Sequence, residues 1–179
     1  MTTTQIRSTA WDVHESPLGP LTLFAGHDGL TALAFPGRAA ALDERDRDPT
    51  ALAHLAAQLE AYFAGERRAF DLPLDLAGTP FQRRVWAELR QIPYGATVSY
   101  SELAERVGRP DVVRAVAAAV GRTPVPIIVP CHRVVGADGS LTGYGGGLQR
   151  KRALLDLERR VTDGDPLPAG AAFRQLALL

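Results

Sequence analysis

Strand signals and helix signals are segregated along this chain, and that split constrains its architecture more than any other feature. Residues 21–25 (Leu-Thr-Leu-Phe-Ala) and 30–35 (Leu-Thr-Ala-Leu-Ala-Phe) flank Gly26-His27-Asp28-Gly29, a turn signal. A hairpin is expected there, with residues 11–14 as a possible neighbouring strand. Residues 38–47 are polar and charged. Asp48 and Pro49 then suit the cap and first position of a helix with Leu52, Leu55, Leu59 and Phe63 on one stripe, stopped by Gly65. Residues 70–76 alternate apolar and polar around Pro73, which suits an edge strand or an extended linker.

The second half is written almost entirely at helical spacing. Thr79-Pro80-Phe81-Gln82 is a capping-box pattern, followed by Phe81, Val85, Trp86, Leu89 and Ile92, and Pro93 should end that helix. Ser99 to Glu102 repeats the capping box, and a short helix with Leu103 and Val107 inward should finish at Gly108. A third helix is expected over residues 111–120, with Val113, Val116, Ala117 and Val120 inward and Arg114, Ala115, Ala118 and Arg122 projecting from the other side. Two short helices joined by a tight turn resemble a helix-turn-helix. Major-groove reading wants Arg, Asn or Gln reaching base edges, whereas this outer face is mostly alanine. A smooth face with a single long cation suits the minor groove and sequence-tolerant binding; the alternative is a helix that merely packs on a neighbour.

Composition excludes several classes. With 46% hydrophobic and 22% charged residues the chain can bury one core or two small ones, and disorder is not its main state. No run of about 18 apolar residues exists, and Met1, the threonines, Gln5 and Arg7 form no apolar signal core. A soluble, cytoplasmic protein without membrane contact is expected. Charge is uneven: six Arg face eleven Asp/Glu in residues 1–77, a net −5, against fourteen Lys/Arg and nine Asp/Glu afterwards, a net +5. That asymmetry fits a polyanion partner for the C-terminal half, or two halves that attract each other.

The single cysteine, Cys131, cannot form an internal disulfide or a multi-thiolate zinc site. It lies between Pro130 and His132, after what reads as a buried strand, Ile127-Ile128-Val129. It is either core filler or chemistry. His132 and Arg133 could raise its thiolate character, but proton transfer to His132 needs a bend or a bridging water, and a carboxylate to orient the imidazole must come from elsewhere.

The run Pro130-Cys131-His132-Arg133-Val134 resembles that of the O6-alkylguanine-DNA alkyltransferase family. The similarity extends through Phe81-Gln82, Val85-Trp86, Ile92-Pro93-Tyr94-Gly95, Thr97-Val98-Ser99-Tyr100, Leu103-Ala104 and Arg114-Ala115-Val116. It continues through Gly143-Tyr144-Gly145-Gly146-Gly147-Leu148, Lys151, Leu154-Leu155 and Glu158. Ordered agreement over about 80 residues is far more specific than a short motif. The first 75 or so residues carry little of it and join by fold expectation.

The resemblance implies an α/β (α+β) fold: an RNase H-like N-terminal domain with a small antiparallel sheet (residues 1–77), a mainly helical domain with helix-turn-helix and active cysteine (78–161), and a tail (162–179). It implies direct-reversal DNA repair, in which Cys131 takes the alkyl group from O6-alkylguanine irreversibly, once per molecule, after base flipping. O4-alkylthymine is a further possible substrate. By the same resemblance His132 is a water-linked base oriented by Glu158, and Tyr100 donates a proton to the departing guanine. Arg114 is the finger that fills the vacated stack, while Ala115, Ala118 and Arg122 complete the DNA-binding face. Pro126, Val134, Tyr144, Gly145 and Gly146 form the substrate pocket, with base contacts from the carbonyls of Cys131 and Val134 and the amide of Gly145. The implied partner is double-stranded DNA bound through the minor groove, by a protein that is monomeric when free and needs no cofactor.

Two departures stand out. Thr123-Pro124 replaces the family's usual Asn-Pro, offering fewer hydrogen bonds than an amide. Some members carry an N-terminal zinc held partly by cysteines; here only His14, His27 and His54 are at hand, and no metal is expected. Three competing classes share features of the chain: a catalytically silent alkyl-lesion binder, which would lack the cysteine; a Cys-His-Glu hydrolase, which would need an oxyanion hole; and a helix-turn-helix regulator, which the alanine-rich face does not favour.

Overall fold

The computed structural model describes residues 9–37 and 42–167. Met1 to Arg7, Arg38 and the tail beyond Leu167, all read above, lie outside the described residues. Strands β1 (Ala10–His14), β2 (Leu21–Ala25) and β3 (Leu30–Ala34) form an antiparallel sheet in the order β1-β2-β3. The β2-β3 hairpin turns where the glycine pair predicts, with Gly26 N–H donating to Gly29 O at 2.8 Å. The extended segment around Pro73 pairs with β3 through a single bridge, Leu30 to Leu74, and so forms no further strand of the sheet.

Helix α1 (Pro49–Phe63) starts at Asp48, whose carboxylate accepts from Ala51 N–H, and stops before Gly65, where φ is +76°. Its buried face is Leu52, Leu55, Gln58, Leu59 and Tyr62. Phe63, expected on the stripe, is only partly buried; Tyr62 takes the innermost place. Helices α2 (Pro80–Leu89) and α3 (Tyr100–Arg106) both carry complete capping boxes, at Thr79/Gln82 and Ser99/Glu102. Such caps satisfy orphan N–H groups locally, which is why they are legible in sequence. Helix α2 ends four residues before Pro93, and Ile92 is buried from the turn that follows. Helix α4 (Val113–Gly121) buries Val116, Ala119 and Val120; Ala117, expected inward, is only half-buried.

The apolar run before the cysteine is buried but is not a strand. Ile127 adopts φ +75°, rare for a β-branched residue, and Val129 N–H returns to Val125 O at 2.9 Å. Pro124, Pro126 and Pro130 have no N–H to give a sheet, so the segment folds into a tight turn instead. The chain then makes a 3-10 turn, Cys131–Arg133, and a two-residue strand β5 (Val134–Val135) parallel to β4 (Val98–Ser99). Helix α5 (Leu148–Asp163) closes the described fold, ended by left-handed Gly164.

Two apolar clusters result. One joins the sheet and α1 to Ile127, Ile128 and the Leu154/Leu157 face of α5; the other joins α2, α3 and α4 to Val129, Cys131 and Val134. Each fully buried Leu contributes about 1.5–3 kcal/mol, so α5 and the 125–128 turn fasten the two halves firmly. The Cys131–Arg133 turn sits at their junction. Among the described residues no helix is long and apolar enough to cross a membrane.

Candidate active site

Glu158 organises the junction. Fully buried on α5, it accepts from Tyr62 Oη at 2.7 Å, His132 Nε2 at 2.8 Å, Arg133 Nη2 and Nε at 2.9 Å each, and Gly95 N–H at 3.0 Å. Burial alone would raise its carboxyl; the hydrogen bonds from His132 and Arg133 and the guanidinium's charge overcome that and hold it well below the usual carboxylate range. Arg133 also donates to Ile92 O at 2.5 Å. Gly95 is required here: φ is +77°, and a Cβ would lie 2.4 Å from Thr162 Oγ1.

A carboxylate can only accept, so its bond to His132 places the imidazole proton on Nε2 and leaves Nδ1 as a bare acceptor. Nδ1 is buried and has no hydrogen-bond partner among the described residues. Burial lowers the His132 pKa, with Glu158 opposing, so the ring rests neutral and able to take a proton.

Cys131 is buried, and its thiol is pushed up to about 11 by that burial, with smaller opposing effects from the Thr123 hydroxyl and Lys151. The expectation that His132 and Arg133 would raise its thiolate character is corrected here. Both side chains turn to Glu158, and desolvation wins. The resting nucleophile is held protonated and needs a base.

Two spaces that share lining residues open here, and the inner one reaches the thiol. An inner chamber of about 110 Å³ is lined by Cys131, Pro126, Thr123, Tyr144, Gly145 and the end of the N-terminal sheet. An outer vestibule of about 560 Å³ is lined by Tyr100, Arg114, Ala117, Thr142, Tyr144 and Gly145. Gly121 and Gly143 border both. Arg114, Ala115, Ala118 and Arg122 are all exposed on and just past α4. Tyr100 reaches Thr142 O at 3.4 Å. Gly146 is buried against Phe35 and Val134 is fully buried; neither lines the two spaces. The Val134 carbonyl accepts from Lys151 Nζ at 2.6 Å, and that ammonium also holds Thr142 O at 2.8 Å.

Sequence reasoning brought together Cys131, His132 and Glu158 but missed Tyr62, the second role of Arg133 and Phe35. No local signal marks them, because each acts across the junction of the halves. Among the described residues no group of three or more His, Cys, Asp or Glu side chains could hold a metal ion.

Comparison with known proteins covers both halves. The model of the 6-O-methylguanine DNA methyltransferase ribonuclease-like domain matches residues 10–76, and that of the 6-O-methylguanine DNA methyltransferase DNA binding domain matches residues 80–160. The methylated-DNA–protein-cysteine methyltransferase of Mycobacterium tuberculosis is 52% identical over 158 residues, covering 84% of this chain and 93% of its own. That of Methanosarcina acetivorans is 45% identical over 149 residues, covering 82% and 96%. The crystal structure of Mycobacterium tuberculosis OGT in complex with DNA superposes with a TM-score of 0.81 at 50% identity, covering 92% of this chain and 98% of that one.

Proposed function

This chain belongs to the 6-O-methylguanine DNA methyltransferase family, and from that premise we propose how its residues carry out the reaction. The activity is methylated-DNA–protein-cysteine methyltransfer, the direct reversal of O6-alkylguanine in DNA. The observation that carries the residue assignment is the bond between His132 Nε2 and Glu158: a carboxylate accepts there, so Nδ1 is left to receive the Cys131 proton through a water.

The thiolate Sγ attacks the alkyl carbon in line with the bond to guanine O6. The C–S bond forms, the C–O bond breaks, and its electron pair leaves with the base. Tyr100 donates a proton to the departing guanine as charge builds on it. The product is a thioether with no group to hydrolyse it, so the protein acts once. Pro126, Tyr144 and Gly145 enclose the reacting group, Gly146 fixes the turn of the pocket loop, and Lys151, bound to the Val134 and Thr142 carbonyls, braces it.

The base must leave the duplex, at a cost of a few kcal/mol. Helices α3 and α4 act as a helix-turn-helix in which the face bearing Ala115 and Ala118 lies in the minor groove. Arg114 fills the vacated stack and Arg122 meets phosphate. Functionally the chain divides into residues 1–77 and 78–161, with α5 running two residues into the expected tail, 162–179. The free protein is a monomer: among the described residues only Val13 and Leu148 are exposed large hydrophobics. It works in the cytoplasm, where its duplex substrate lies.

The test is intact-protein and peptide mass spectrometry after incubation with a duplex carrying one O6-methylguanine, beside Cys131→Ser. One methyl group on the Cys131 peptide, absent from the variant and saturating at one per protein, is expected. No adduct despite lesion binding, or an adduct that disappears with time, refutes the proposal.

A further inference from the structure

The inner chamber beside the thiol has a wall that does not come from the half of the chain bearing the motifs. Leu33 and Ala34, at the end of β3, and Phe35 just past it line the chamber together with Cys131 and Pro126. Phe35 is held there. Its ring meets Tyr144 edge-on at 5.7 Å between centroids, and the Arg150 guanidinium lies 5.5 Å from its centre. Arg150 in turn donates to Leu18 O at 2.9 Å and Gly146 O at 2.8 Å, tying the N-terminal half to the glycine loop. A Cβ on Gly146 would lie 2.7 Å from the Phe35 ring, so loop and ring are in close contact. Leu33 N–H donates to Pro124 O at 2.9 Å, which fixes the strand end against the segment leading to the cysteine.

The two spaces divide the substrate. The vestibule with Tyr100 and Arg114 has room for a base, whereas the chamber of about 110 Å³ is the space next to Sγ, where the alkyl group must be. A cavity of about 150 Å³ is known to accept a benzene ring, so the chamber lies just under the size at which an aromatic substituent fits. We propose that Phe35, supplied by the N-terminal sheet and braced by Arg150, is a specificity-determining residue that sets the largest alkyl group Cys131 can accept. This rests on the alkyl-transfer reading above and adds to it that the size limit is a cross-domain property.

The test uses the full chain with Phe35→Leu, Phe35→Ala and Ala34→Val, and duplexes carrying a single O6-methylguanine or O6-benzylguanine. Single-turnover rates are read by intact mass, with melting curves to establish folding. A methylene-sized change in an apolar pocket alters discrimination by about tenfold or more. Phe35→Leu should therefore raise the benzyl-to-methyl rate ratio about tenfold and Phe35→Ala further, while Ala34→Val lowers it. If Phe35→Ala fails to fold, the other two carry the test. A ratio within about twofold of the parent in the folded variants, with both rates falling together, overturns the proposal and leaves Phe35 as loop support. No adduct from either lesion in the parent overturns the alkyl-transfer reading, and this inference with it.

Discussion

Replacing Glu158 by Gln tests the junction most directly. The side chain keeps its length but exchanges one acceptor oxygen for an NH₂ group, and all five groups around it are donors. Whichever way the amide turns, N–H faces N–H or O–H, and the buried Arg133 guanidinium loses its counter-charge. Breaking a buried ion pair in this way costs about 3–5 kcal/mol. For a chain of 179 residues at about 2–4 °C per kcal/mol, the melting temperature should fall by about 6–20 °C. Chemistry should suffer separately. With no carboxylate to fix Nε2–H and favour the imidazolium, His132 loses its function as a base, worth about 10²–10⁴ in rate. The assay is the single-turnover rate of Cys131 alkylation by mass spectrometry, at a temperature where the variant is fully folded, beside a calorimetric melt. A variant that melts within about 2 °C of the parent and reacts within about threefold would refute the account.

Two further perturbations follow from the same geometry. Arg114→Ala should slow repair of a lesion in duplex DNA by at least about tenfold while leaving reaction with free O6-benzylguanine nearly unchanged, because only the duplex requires flipping; equal losses on both substrates would remove its role in the stack. Stability should peak between neutral and mildly alkaline pH. Glu158 and His132 are both held below their ordinary values, so unfolding takes up protons, and their contributions are lost as pH falls through about 6.5 for His132 and below about 4.5 for Glu158. Cys131 is held above its ordinary 9, so its share is lost as pH rises from there toward about 11. Melting curves from pH 4 to 10 check the sign, and a melting temperature that rises on acidification to pH 5 contradicts it.

What was legible in the sequence is what local physics decides. Asp48, Thr79 and Ser99 mark helix starts because each cap hydrogen bond is made within three residues. The glycines at 26 and 29 mark the hairpin for the same reason. The segment before Cys131 misled because an apolar run signals burial but not conformation, and its three prolines decided the conformation. The parallel pairing of Val98 and Ser99 with Val134 and Val135 is two residues long and leaves no periodicity to read. At the site, Cys131 and His132 announce themselves by chemistry, whereas Glu158 is 26 residues from its histidine and was identifiable only through family resemblance. Tyr62 is 96 residues from Glu158 and reads as one more apolar position beside Phe63. The expected and observed stripes share Leu52, Leu55 and Leu59 and part only at the last turn, where tertiary packing chooses Tyr62 over Phe63.

Lys151 is the chain's single lysine, against nineteen arginines, and it is fully buried with its ammonium bound to Val134 O and Thr142 O. No other side chain in the protein carries a primary amine. Reagents that label, acetylate or cross-link lysines should therefore pass over the native fold, and any modification of Lys151 reports that the contact between α5 and β5, which follows the cysteine turn, has opened. The chain thus carries its own footprinting probe at the centre of its reactive site.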